Sequence, residues 1–333
     1  RVFATPMPLP GPAIASVELR NTGQTQPLAI TEARITGRNA ARYALSDLPG
    51  TVGPGASATM KVTFDPEGQE GQFESTLDLI SNSTSDRHTL LDLAAFVPYE
   101  SPLIAFYPFD DPANPLRNAN GKGSDLIVPA GAAPVYQAAG GIEGGAYVFG
   151  GTQRLIAPIS INPGDLPQLT MGAWVKASSL VPGPRKIMGH DNGGYDRGFG
   201  FDTRNGPFRF TAFTDSGLVP DTPAPVSTEA WSFAAITFDQ GSQMLAFYVD
   251  PDVATTDDPL IVVESPTVFG PGFTMTAIGG LRPDNADEGW QGSIDNVFFY
   301  QTVLDLDALT RIRNEGAEAI VPRPDDPPQI TEV

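Results

Sequence analysis

The sequence predicts an all-β chain: two β-sandwiches in series, closed by one short C-terminal helix. Three observations carry that expectation. Apolar and polar residues alternate in runs such as Ser232-Phe233-Ala234-Ala235-Ile236-Thr237-Phe238 and Met244-Leu245-Ala246-Phe247-Tyr248-Val249, split by the turn Asp239-Gln240-Gly241-Ser242. Thirty-five Gly and 33 Pro in 333 residues break helices and supply tight turns. A helix is expected only at residues 306–314, with Asp305 as N-cap and Gly316 past its end.

Taken in order, residues 1–12 (RVFATPMPLPGP) carry Pro6, Pro8, Pro10 and Pro12 and read as an extended, polyproline-like arm. Within residues 13–97, strands are expected at 13–20, 28–36, 42–46, 57–64, 73–81 and 88–96. Turn signals such as Asn21-Thr22-Gly23, Gly53-Pro54-Gly55 and Asp65-Pro66-Glu67-Gly68 separate them. Strands at that spacing make a sandwich. Residues 98–102 form a brief proline-flanked linker. A second domain over 103–317 opens with Leu103-Ile104-Ala105-Phe106-Tyr107-Pro108-Phe109-Asp110. The tail 318–333, with prolines around Asp325-Asp326, is expected to be extended.

Composition excludes several functions. A net charge of −19 opposes nucleic acid, whose phosphates need clustered Lys and Arg. The excess carboxylates instead offer oxygen ligands to hard cations such as Ca²⁺. No cysteine and only two His argue against a catalytic zinc site or a thiol nucleophile. No apolar run approaches the roughly 20 residues a membrane helix needs, so membrane insertion is not expected. The chain reads as a portion of a longer secreted protein, located outside a bacterial cell or on its surface.

Residues 13–97 resemble the immunoglobulin-like choice-of-anchor D repeats, related to the abnormal-spindle/hydin type. The matching pieces are Leu19-Arg20-Asn21-Thr22-Gly23, Tyr43-Ala44-Leu45, Val52-Gly53-Pro54-Gly55 and Val62-Thr63-Phe64-Asp65-Pro66. The resemblance implies a spacer or interaction module. Residues 103–317 resemble the laminin-G-like, concanavalin A-like (pentraxin-like) jelly rolls. Here the pieces are Phe109-Asp110, the loop Asn118-Ala119-Asn120-Gly121-Lys122-Gly123, Leu169-Thr170-Met171-Gly172-Ala173-Trp174-Val175-Lys176 and Gly292-Ser293-Ile294-Asp295-Asn296-Val297. That resemblance implies binding or building, and a structural Ca²⁺ held by Asp110, Asn118 or Asn120, and Asp295. The alternative for Asp295 is a hydrogen bond to a backbone turn.

Glycosidases share the jelly roll, yet the paired carboxylates they need on one strand face, seen in related glucanases as a Glu-x-Asp-x-Glu-like run, are not found. No Ser/His/Asp spacing emerges, so the chain is expected not to be an enzyme. The loop at 189–197 gathers His190, Asp191, Asn192, Tyr195 and Asp196. It reads either as a ligand-contact loop or as a hairpin connection whose glycines serve the turn. Trp290 follows an acidic loop and is a candidate sugar platform, whereas Trp174 and Trp231 are expected in the core. His88 reads as an exposed sheet residue.

The partner expected is a glycan or an extracellular protein, and the work adhesion or recognition. One rival is a self-assembling fibre or surface-layer subunit, in which Val2 and Phe3 of the arm, or the tail, contact a neighbour. The other is a glycoside hydrolase or polysaccharide lyase domain.

Overall fold

The structure, a computed structural model, describes residues 13–68, 71–85, 87–97, 101–121, 123–191, 197–203, 208–214, 217–218, 224–252, 261–264, 273–285 and 287–320. The chain divides into two compact units, Arg1–Tyr99 and Glu100–Val333. The fold is an immunoglobulin-like sandwich followed by a jelly roll, with one C-terminal helix.

The first unit contains β1 (Ala13–Arg20), β2 (Leu28–Thr36), β3 (Tyr43–Ser46), β4 (Thr51–Val52), β5 (Ser57–Phe64), β6 (Gly71–Ser81) and β7 (His88–Val97). They form two antiparallel sheets, β1-β5-β3 and β4-β2-β6-β7. Period 2 decides what each strand buries: in β5, Met60, Val62 and Phe64 point inward while Thr59 and Lys61 are exposed. These side chains meet Phe73, Leu77 and Leu93 from the other sheet. Tyr43 seals the core, its hydroxyl donating to the Phe73 carbonyl at 2.8 Å and its ring lying 5.1 Å from Phe64. On the other face of β6, Asp78 accepts from Arg34 Nε and Nη2 at 3.1 and 2.8 Å and pairs with His88 Nδ1 at 3.2 Å.

The second unit opens with β8 (Leu103–Tyr107), β9 (Val135–Gln137), β10 (Ala146–Gly150), β11 (Leu155–Ala157) and β12 (Gln168–Ala177). Next come β13 (Arg185–His190), β14 (Arg197–Phe201), β15 (Phe210–Thr214), β16 (Gly217–Leu218) and β17 (Ser232–Asp239). It ends with β18 (Met244–Val249), β19 (Ile261–Glu264), β20 (Thr276–Ile278), β21 (Gln291–Tyr300) and helix α1 (Leu306–Glu315). One sheet runs β19-β18-β17-β12-β21-β10-β9, with β8 also on β21; the other runs β11-β20-β13-β14-β15-β16. Aromatic side chains fill the space between them, Phe199 and Phe210 lying 5.7 and 6.3 Å from Phe247.

The larger sheet buries part of its outer face as well. There Phe233, Tyr248, Phe298 and Tyr300 pack with Leu309 and Ile312 of α1. Asp305 caps the helix by accepting from Ala308 N at 2.9 Å, and Gly316 ends it at φ 91°. Because both faces of β17 are covered, Ser232 to Phe238 are all buried, and alternation in that strand does not mark a wet face.

One feature of the pairing positions the site. Along one side, β21 pairs first with β10 (Tyr147 opposite Ile294) and then with β8 (Val297 opposite Tyr107). Asp295 and Asn296 therefore fall at the seam where β8 ends and β10 begins. On the other side the β12 register shifts between Gly172 and Trp174, and Asn296 adopts φ 51°. A bulge at a strand seam re-aims its side chains.

Candidate functional site

At the seam Asp295 is fully buried. Its Oδ2 accepts from Ile142 N at 2.9 Å and its Oδ1 from Asn296 N at 2.7 Å. Burial pushes its carboxyl up to about 7; the backbone amides pull it back, and the nearby Asp110 pushes it further up. Asp110 follows β8 after Phe109, whose left-handed φ of 62° turns the chain toward the seam. Its Oδ1 accepts from Gly145 N at 3.0 Å. Burial raises its carboxyl as well, with Glu143 adding repulsion.

The loop 140–145 thus holds both carboxylates by its backbone. It closes on itself through Gly141 N to Gly144 O at 3.0 Å. A Cβ on Gly141 would collide with Asp295 Oδ2, and one on Gly144, at φ 58°, with Asp110 Oδ1. Glycine is required at both positions. Tyr136 completes the wall, donating from its hydroxyl to Phe109 O at 2.9 Å. Its phenol is raised by burial first, then by Asp110, Asp111 and Asp295.

The residues present fit a hard cation. Asp295 is fully buried, Asp110 lies beside it at the exposed rim, and neither forms an ion pair with Lys, Arg or His among the described residues. Like charges so placed are costly unless a proton or a cation neutralises them. The donor atoms are all oxygens, from carboxylates, backbone carbonyls and a phenol. No group of three or more His, Cys, Asp or Glu suited to a metal occurs among the described residues. Calcium does not need one, since carbonyl and water oxygens complete its shell beside two carboxylates.

The other expected ligands have different work. Asn118 Oδ1 accepts from Phe106 N at 3.0 Å and Asn120 N at 3.3 Å. Asn120 donates to Leu103 O at 3.1 Å and accepts from Gly123 N at 3.2 Å. Both side chains brace their loop against β8, with their oxygens directed at backbone amides.

In the 189–197 loop, His190 and Asp191 are buried. His190 Nδ1 lies 3.1 Å from Phe273 O, and Arg197 Nη1 donates to Ile161 O and Leu166 O at 3.2 and 2.5 Å. Asn192, Tyr195 and Asp196, like Val2 and Phe3 of the arm, lie outside the described residues.

The tryptophans require a correction. Trp290, expected as an exposed platform, is fully buried, its ring 6.0 Å from Phe201 and its Nε1 3.4 Å from Ser293 O. Trp174 and Trp231, expected in the core, are each only half-buried. Both lie on the outer-face register of the larger sheet, where α1 leaves part of the surface open.

Tyr136, Glu143 and the clamp at 140–145 went unrecognised in the sequence. The signal was there as Gly140-Gly141-Ile142-Glu143-Gly144-Gly145, four glycines within six residues.

A model of the concanavalin A-like lectin/glucanases superfamily matches residues 149–309, so the second unit carries a concanavalin A-like jelly-roll domain. No curated protein matches the sequence. Among solved structures, similarity is found to domain 4 of AbnA, a GH43 extracellular arabinanase from Geobacillus stearothermophilus, in complex with arabinotriose. It is 19% identical with a TM-score of 0.49, covering 64% of this chain and 99% of that one. Trypanosoma rangeli sialidase is 15% identical with a TM-score of 0.47, covering 72% of this chain and 42% of that one. The Ruminococcus gnavus IT-sialidase CBM40, bound to α2,3 sialyllactose, is 15% identical with a TM-score of 0.38, covering 54% and 97%.

Proposed function

We propose that the second unit is a non-catalytic, extracellular glycan-recognition module whose seam is locked by a structural Ca²⁺ at Asp110 and Asp295. The first unit is proposed to be an immunoglobulin-like spacer of the choice-of-anchor D type. The observation that carries the reading is the carboxylate pair itself. Asp295 is buried, and the exposed Asp110 lies beside it and raises its carboxyl further; one glycine loop holds both, and neither has a basic partner among the described residues. A bound Ca²⁺ supplies the positive charge that this pocket lacks. The chain's own residues do the rest: Gly141 and Gly144 admit the loop, and the amides of Ile142 and Gly145 fix the carboxylate planes.

The same geometry supports a role without catalysis. Asp295 and Asp110 each accept from a loop backbone amide and Asp295 is fully buried, whereas both members of a glycosidase pair must flank a sugar in an accessible cleft. A glycan ligand is supported by the lectin and glucanase family matched at 149–309.

Calorimetry of the full chain with EDTA, then with Ca²⁺ restored, tests the metal. A ligand bound only by the native state at 100 times its Kd adds about 2.7 kcal/mol. We expect the second unit to melt several degrees higher with Ca²⁺, and identical melting curves would remove the metal from the proposal. A glycan array in the presence of Ca²⁺ tests recognition. Turnover of a bound polysaccharide, abolished by one Asp or Glu substitution, would overturn the non-catalytic reading.

A further inference from the structure

On the outer face of the larger sheet two partly exposed indoles lie beside one ammonium group, Trp174 packing edge-on against Phe233 at 5.6 Å. Val175 pairs with Ser232 and Trp174 with Phe233, which sets Lys176 beside Trp231 across β12 and β17. On the other side of β12, Trp174 is opposite Asp295 and Lys176 opposite Ser293. The intervening Ala173, Val175 and Ala177 are buried between the sheets, so Trp174 and Lys176 share the opposite face. Lys176 Nζ lies 5.5 Å from the centre of the Trp231 ring, which pins the indole from one side. Trp231 stands diagonal to Trp174, a relation that brings long side chains within reach of each other.

Two facts turn this patch into a site. Trp174 packs against the cluster that α1 covers, whereas Trp231, also partly exposed, is not part of that cluster. Lys176 forms no ion pair among the described residues, although the chain holds 39 Asp and Glu against 20 Lys and Arg. Its ammonium stands over the Trp231 ring, beside an apolar platform. That is the makeup of a small-ligand surface: mostly apolar, with few placed polar groups.

We propose that Trp231, Trp174 and Lys176 form the sugar-stacking subsite of this module, and that its ligand is a neutral glycan longer than one sugar ring. The proposal rests on the glycan-recognition reading and gives it a location. The apolar C–H face of a pyranose stacks on Trp231, the next ring reaches Trp174, and the Lys176 ammonium donates to ring hydroxyls. Charge selects the neutral class. A chain of net charge −19 repels a polyanionic polysaccharide, and one Lys does not reverse that field.

Affinity gel electrophoresis of the full chain, in Ca²⁺, against β-glucan, galactomannan, xylan and polygalacturonate tests it. At least one neutral polymer should retard the protein and polygalacturonate should not. Trp231→Ala should weaken retardation at least about tenfold, as for an aromatic hot spot. Trp231→Phe should restore part of it, and Lys176→Gln should weaken it severalfold. The melting temperature serves as the folding control, and Lys176→Gln replaces Trp231→Ala if that variant misfolds. Retardation that survives both Trp231→Ala and Lys176→Gln would overturn the subsite while leaving glycan recognition standing. Failure of every neutral polymer to bind would sink both. Preference for polygalacturonate would overturn the neutral class alone.

Discussion

Two strand aspartates, one in each unit, meet opposite circumstances. Asp78 in β6 has Arg34 at 2.8 Å and His88 at 3.2 Å, and its carboxyl is held below the usual range, chiefly by the Arg34 hydrogen bond. Asp295 in β21 has two backbone amides and a neighbouring carboxylate, and burial lifts it to about 7. Both side chains are almost wholly covered, so exposure does not separate them. The source of counter-charge does. The first unit carries its own cation on a neighbouring strand, whereas at the seam of the second no basic side chain pairs with Asp295 among the described residues. A buried carboxylate with a second one beside it is costly until a proton or, on the proposed reading, a Ca²⁺ neutralises it.

The largest expected effect sharpens that contrast through pH. Asp295 has a folded-state value above its ordinary 3.8, so the folded state holds the proton more tightly than the unfolded chain. Its contribution is therefore fully favourable below about pH 4 and is lost as pH rises toward 7. Integrated over that window, the loss reaches roughly 4 kcal/mol at most. All three tryptophans lie in the second unit, so tryptophan emission during urea unfolding reports that unit. In EDTA its midpoint should fall between pH 4 and pH 7; Asp295→Asn should flatten the slope, and Ca²⁺ should reverse it. A flat profile in EDTA for the unsubstituted protein would break the comparison.

A middle-sized effect tests the loop. Gly141→Ala places a methyl group against Asp295 Oδ2 and the carbonyls of Glu143 and Gly145. Overpacking of this kind costs about 1–3 kcal/mol. Because the loop must withdraw, the variant should also lose its response to Ca²⁺. Gly50→Ala in the first unit, with nothing within 4 Å of the added carbon, is the control. Unchanged Ca²⁺ stabilisation in Gly141→Ala would show that the loop is not the clamp.

What the sequence revealed, and what it hid, follows the same physics. In the first unit the expected strands coincide with β1, β2 and β5 because one face of each is wet and period 2 shows through, broken in β2 only by the register shift between Ile30 and Glu32. Two- and three-residue strands such as β4, β9, β11 and β16 are too short to show a period. The tryptophans were misjudged because periodicity reports alternation without saying which face a helix will cover. Resemblance pointed to Asp110 and Asp295, but their clamp lies 35 residues from one and 153 from the other. No local pattern encodes a contact across that separation. Only the register of β8 and β10 along β21 brings the three pieces together.

The smallest expected effect is on the Asp78 side. Arg34 is half exposed, so water already screens its charge and competes for its donors. Arg34→Gln should therefore leave the first unit folded, with a change in stability far below that expected at Asp295. Its titration should still move. Asp78 is held below its ordinary value, so its contribution is present above the unfolded value and is lost as pH falls through the folded one, the reverse of Asp295. Removing the guanidinium withdraws the main cause, and the Asp78 carboxyl should titrate closer to 3.8 when followed by carboxyl carbon NMR. His88→Gln should move it in the same direction by less, since the Arg34 hydrogen bond ranks above the His88 contacts. If Asp78 titrates unchanged in Arg34→Gln, the first unit does not carry its own counter-charge. The case for a cation at the seam would then have to stand without this contrast.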